Sequence, residues 1–114
     1  MRFGAIAVVT VFGVACGSSF PPPNDEWSAA KEDIGRAESG GAPQVPDAKL
    51  HLKLAEEDLA KSKQLIDTDN RRAASLIALA RVEAQLALSL AKQQAAQEAA
   101  QSAAMDLQKA KGGL

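Results

Sequence analysis

Tyrosine is absent from the 114 residues, tryptophan occurs once, at Trp27, and the three phenylalanines, Phe3, Phe12 and Phe20, all lie near the start of the chain. Whatever folds beyond them packs with Leu, Ile, Val and Ala, which favours thin contacts between helices over a thick sheet core. A single cysteine, Cys16, excludes an intrachain disulfide, and a single histidine, His51, leaves too few ligands for a zinc constellation. An excess of one charge is also missing: 13 Lys plus Arg stand against 14 Asp plus Glu. No basic surface of the kind that grips a phosphate backbone follows from that balance, so nucleic acid is not an expected partner. The longest apolar run, Phe3 to Val14, falls short of the about 20 residues that a bilayer-spanning helix requires. Once this run and a linker are set aside, about 90 residues remain, enough for one small domain and no large enzyme core.

What is present begins with that run. Met1-Arg2 supplies a positive start and Phe3 to Val14 an apolar stretch, the two parts of a secretory signal that precede a small-residue cleavage site. The segment ending Gly13-Val14-Ala15-Cys16 resembles the bacterial lipobox, whose cysteine is acylated on sulfur and becomes the first mature residue. Ala15 and Val14 fit that pattern, whereas Gly13 stands where a branched aliphatic residue is usual. The resemblance implies a signal peptide over 1–15, cleavage between Ala15 and Cys16, and a lipidated Cys16 that holds the protein to a membrane. Gly17 to Pro23, GSSFPPP, then reads as a tether, flexible at its Gly/Ser start and extended through its three prolines.

From residue 24 onward the periodicity predicts an all-α unit over 24–111, with helices at about 25–39, 47–66 and 70–110 and a disordered end at 112–114. Asn24 is the expected cap of the first helix, Trp27, Ala30, Ile34 and Ala37 share one face, and Gly40-Gly41 stop it. Gly40 to Pro46 forms a turn-rich connector. In the second helix Ala48, Leu52, Ala55, Leu59, Ser62 and Ile66 make a seam, and Leu50, Leu54 and Leu65 a second apolar row. Two rows imply two neighbours, which predicts that the second helix lies centrally between the others. Asp67-Thr68-Asp69-Asn70 supplies a turn and a cap, Asp69 or Thr68, for an antiparallel hairpin. The same residues lack the glycine and distal glutamate of a calcium loop, so no metal is expected.

The third helix is the longest, about 60 Å, because no Pro or Gly interrupts Arg71 to Lys109. In its first half Leu76, Leu79, Leu86 and Leu90 form one stripe, and Ala73, Ala80, Ala84, Ala87 and Ala91 fill the arc between it and Ile77 and Leu88. After Lys92 the chain turns to Ala and Gln, with Ala95, Ala99 and Ala103 in one row and Ala96, Ala100 and Ala104 in the next. The second helix is too short to cover this overhang. Leu86, Leu90, Ala95, Ala99, Ala103 and Met105 are therefore the candidate residues for binding a partner.

With those boundaries placed, the stretch from about Ala30 to Gln101 resembles the bacterial domain-of-unknown-function family numbered 4398. The resemblance rests on Gly41-Ala42 with Pro46, Lys53-Leu54-Ala55, Leu59-Ala60, the polar turn at Asp67 to Asn70, Arg72-Ala73 and the run Ala80-Arg81-Val82-Glu83-Ala84-Gln85. It implies a helical envelope module, tetratricopeptide-like in its hairpin, and brings no catalytic residues. The expected protein is thus a lipid-anchored cell-envelope lipoprotein, placed in the outer membrane facing the periplasm because Gly17 replaces the Asp that signals inner-membrane retention in enteric bacteria. Its helical unit binds an envelope protein or its own copies, with no small-molecule substrate and no cofactor. The alternative is a structural, self-associating coiled-coil lipoprotein similar to the major outer-membrane lipoprotein. Pro43 and Pro46 interrupt such a rod, and Gly112-Gly113-Leu114 follows the lysines where that protein ends in one. An enzyme is not expected, since His51 has no companion motif and Ser62 and Ser75 lie in helical stripes.

Overall fold

The computed structural model describes residues 19–113. The predicted signal peptide, Ala15, Cys16 and Leu114 lie outside the described residues. Within them the chain is all-α: α1 spans Asn24–Ser39, a single 3-10 turn covers Ala42–Gln44, α2 spans Pro46–Leu65 and α3 spans Asn70–Gly112. The three helices fall where the periodicity puts them, and α3 runs through Gly112 instead of ending at 110, with the Gly113 N–H bonded to the Lys109 carbonyl at 3.1 Å.

Each boundary has a local cause. Pro23, not Asn24, occupies the cap position of α1: its carbonyl accepts the Trp27 N–H at 3.0 Å, and Asn24 is the first helical residue. A proline loses nothing there, because the N–H it lacks would find no partner in the helix. α1 ends where Gly40 and Gly41 donate to the Arg36 and Glu38 carbonyls, and Gly41 carries the left-handed φ of 95° that a side chain would strain. Gly40 serves closeness, since a Cβ there would stand 2.3 Å from Leu88 Cδ1. α2 opens on Pro46, whose fixed φ suits a first turn. Asp69 caps α3 by accepting the Arg72 N–H at 3.1 Å, while Thr68 donates its hydroxyl back to the Leu65 carbonyl.

The core is built from alanine. Ala48, Ala55, Leu52, Leu59 and Ser62 of α2 meet Ala73, Ile77, Ala80, Ala84, Ala87 and Ala91 of α3, with Ala30, Ile34 and Ala37 of α1 closing the third side. Small residues let the backbones approach closely, so many weak dispersion contacts replace a few large side chains. Among the described residues Ile77 is the one large hydrophobic side chain buried to 1 % exposure, and Ser62 fills the gap in the α2 seam by donating its hydroxyl to the Leu59 carbonyl at 2.6 Å.

The central helix is α3, not α2. α1 packs chiefly on α3 and touches α2 less, so the second leucine row of α2 has no neighbour: Leu50 is 57 % and Leu54 37 % exposed. Periodicity counted apolar rows correctly but could not say that the wide alanine arc of α3 would take both neighbours.

Candidate interaction surface

Three polar contacts fix how the helices present their outer faces. Asp33 of α1 is 4 % exposed and accepts from Arg81 Nε of α3 at 2.8 Å, with Gln85 Nε2 at 3.4 Å and Arg36 of its own helix on the other oxygen. Burial alone raises its pKa, but the hydrogen bonds and charges of Arg81 and Arg36 outweigh burial and hold it below the ordinary carboxylate value. On the other flank of α3, Glu83 Oε2 lies 2.5 Å from His51 Nδ1 of α2. Near the hairpin turn, Trp27 sits between Lys31 of α1 and Lys63 of α2, whose Nζ atoms lie 5.5 and 4.2 Å from its ring centroid. Periodicity placed Trp27 on the packing face of α1 but paired none of these polar groups. The signal for Asp33 was present, because it falls between Ala30 and Ala37 on the apolar face of α1 where a carboxylate needs a cation across the interface.

The chain that leads into α1 is also fixed. Pro23 is buried, and the Phe20 carbonyl accepts from Asn70 Nδ2 at 2.8 Å while Asn70 Oδ1 takes the Asp67 N–H at 2.7 Å. Asp67, with φ 74°, adopts the left-handed geometry this turn requires. The second half of the expected tether is therefore docked on the α2–α3 turn.

Beyond Ala91 no residue of α3 is buried: between Lys92 and Glu98 the helix still lines shallow recesses with the end of α1, the connector and the start of α2, and the rest of α3, to Gly112, extends past them. The six candidate residues do not form one face. Leu86 is 40 % exposed and Met105 56 %, but Leu90 is half-buried against the core beside Val45, and Ala95 lies over the recess formed by Gly41, Gln44, Val45 and Pro46. Nine residues at 3.6 per turn put Leu86 and Ala95 on opposite sides of the helix. The large apolar residues of α3 that face outward are Leu79, Val82, Leu86, Met105 and Leu107, at 46, 61, 40, 56 and 57 % exposure, so two of the six candidates are among them.

Among the described residues no triad or ligand cage emerges from the remaining polar groups. Ser62 and Ser75 spend their hydroxyls on the Leu59 and Arg71 carbonyls of their own helices, and among the described residues no group of three or more His, Cys, Asp or Glu is placed to hold a metal ion. α3 is, by length and composition alone, apolar enough to cross a membrane. Its Arg81 and Glu83, however, are paired across to α1 and α2, as in the core helix of a hairpin. Compared with protein-family models, curated proteins and solved structures, the chain matches none.

Proposed function

We propose that this chain is a membrane-anchored cell-envelope lipoprotein whose helical unit is a non-enzymatic binding or scaffold module. The observation that carries the reading is the overhang: α3 has no buried residue from Lys92 to Gly112, and past Glu98 it extends beyond the other described helices, in a protein whose N-terminal region ends in Ala15-Cys16. Exposed apolar side chains along such a helix are surface that a partner removes from water. The kinship with the domain-of-unknown-function family numbered 4398, and the tetratricopeptide-like character of the hairpin, belong to the same proposal. So does the outer-membrane, periplasm-facing address.

Anchor and module are linked by the docked lead-in. From Cys16 to Phe20 the chain reaches at most about 14 Å, at about 3.5 Å per residue. The Phe20–Asn70 hydrogen bond then keeps the α2–α3 turn within that distance of the lipid. The tether is thus short, and the lipidated cysteine and the module move together. The rod-like reading is less well supported, because α1 and α2 fold back against α3 and do not extend it.

Photo-crosslinking in the native cell tests the proposal. A photoreactive residue in place of Ala100 is expected to trap a protein partner, whether another envelope protein or a second copy. One in place of Lys61, exposed on α2 away from the overhang, is expected to trap nothing. Equal, nonspecific labelling from both positions contradicts a binding role for the overhang.

A further inference from the structure

The exposed residues of α3 contain a pattern that continues across the boundary between hairpin and overhang. Leu79, Val82, Leu86, Ser89, Gln93, Ala96, Ala100, Ala103, Leu107 and Ala110 follow one another at alternating steps of three and four, and every one of them is exposed. A strict repeat of 3.5 residues is the spacing of a coiled-coil seam, whereas packing on a single straight neighbour follows 3.6. The alanine face that packs on α1 and α2 lies on the opposite side of the same helix, so among the described residues no helix packs on this seam.

The seam is also complementary to itself when reversed. Placing Ser89 opposite Gln93 of a second, antiparallel α3 sets Leu86 against Ala96, Val82 against Ala100 and Leu79 against Ala103, and each pairing recurs on the other side of the two-fold axis. Every large side chain of the hairpin half then meets a small one of the overhang half, the alternation that fills an interface without voids. The polar Ser89–Gln93 layer falls at the axis, where a polar layer fixes register. Leu107 meets Ser75, which is exposed.

We propose that the back of α3 is a homodimer interface, in which two copies pair through Ser75 to Leu107 in antiparallel register and each overhang covers the back of its partner's hairpin. The two Phe20–Asn70 docking points then lie about 60 Å apart, at 1.5 Å per residue. Both lipid anchors reach one membrane when the pair lies along it. This deepens the scaffold reading by naming the partner of the overhang.

The test uses the full chain in excess detergent with Cys16→Ser, which cannot be lipidated, and one spin label at Gln101→Cys. The antiparallel register predicts a dimer by sedimentation and a label separation of about 30 Å along the axis, from 20 residues of offset. Leu86→Lys is expected to give a monomer with no label–label distance, and Met105→Lys, on an exposed residue off the seam, to leave both unchanged. Helix content by circular dichroism checks that each variant folds. A monomer at every concentration, equal behaviour of the two lysine variants, or a separation near the roughly 10 Å helix spacing of a parallel pair overturns the proposal. Because the variant lacks the anchor, failure here leaves the membrane address untouched, and failure of lipidation leaves the pairing untouched.

Discussion

Asp33 and Arg81, 48 positions apart in the chain, meet at 2.8 Å across the α1–α3 interface, with the Asp33 side chain 3 % and the Arg81 side chain 40 % exposed. The contact joins the shortest α-helix to the longest, and it is asymmetric: the carboxylate depends on the cations, while Arg81 can turn to water. Arg81→Ala should therefore cost more than Asp33→Ala, about 2–3 kcal/mol against about 1–2, because only the first leaves a buried charge short of a partner. Arg36, whose side chain is 59 % exposed, contributes less, and Arg36→Ala should cost no more than about 1 kcal/mol. Urea denaturation of the three variants orders them.

The same pair sets a pH dependence. The folded-state pKa of Asp33 lies below its unfolded value, so the stabilisation is complete above the ordinary carboxylate range and is lost as pH falls through the depressed value. The difference between wild type and Asp33→Asn should shrink as the solution is acidified from neutrality. A difference that grows on acidification would place the coupling elsewhere.

Glu56 behaves in the opposite sense. Partial burial, then the charge and hydrogen bond of Glu38, raise its pKa above the ordinary value. The ionised form is disfavoured in the folded chain, so its contribution is most favourable at low pH and is lost as pH rises through the raised value. Glu56→Gln should raise the melting temperature slightly at neutral pH, with no gain once the solution is acidic enough to protonate the wild type.

Packing predictions follow from the alanine core. Ile77→Ala removes a large hydrophobic side chain that is 1 % exposed and should cost about 2–4 kcal/mol. Ala84→Leu, at a position with no exposure, should also destabilise, by about 1–3 kcal/mol, since the helices must separate to admit it. Thermal melts that show Ala84→Leu neutral would mean the α2–α3 contact is looser than its burial indicates.

Trp27 Nε1 is buried without a hydrogen-bond partner, so the indole N–H carries a desolvation cost that its ring contacts with Lys31 and Lys63 offset. Trp27→Phe should be close to neutral, whereas Trp27→Ala should cost about 2–3 kcal/mol through lost packing. Melting temperatures of the two variants separate the ring's contribution from that of its N–H.

Much of this architecture was legible in the chain. The Ala48–Leu52–Ala55–Leu59–Ser62 seam, the Gly40-Gly41 stop, the Asp69 cap and the uncovered overhang all follow from local chemistry, because capping and helical spacing act over a few residues. What depended on distance was not legible. That α3 takes the central place, that Leu50 and Leu54 stay exposed, and that Asp33 is paired to Arg81 are consequences of which faces meet, which spacing alone does not decide. In the candidate surface, Leu86 and Ala95 stand nine residues apart, or about two and a half turns, so the six residues spread over opposite sides of α3 and form no single face.

The intact mass of the protein extracted from its own cells tests the central claim most directly. A membrane-anchored lipoprotein should be recovered in the membrane fraction as a chain that begins at Cys16 and carries the added mass of acyl chains, and Cys16→Ala should abolish both the added mass and the fractionation. A native chain that carries no acyl group, whether it begins at Met1 or at another residue, would contradict the account.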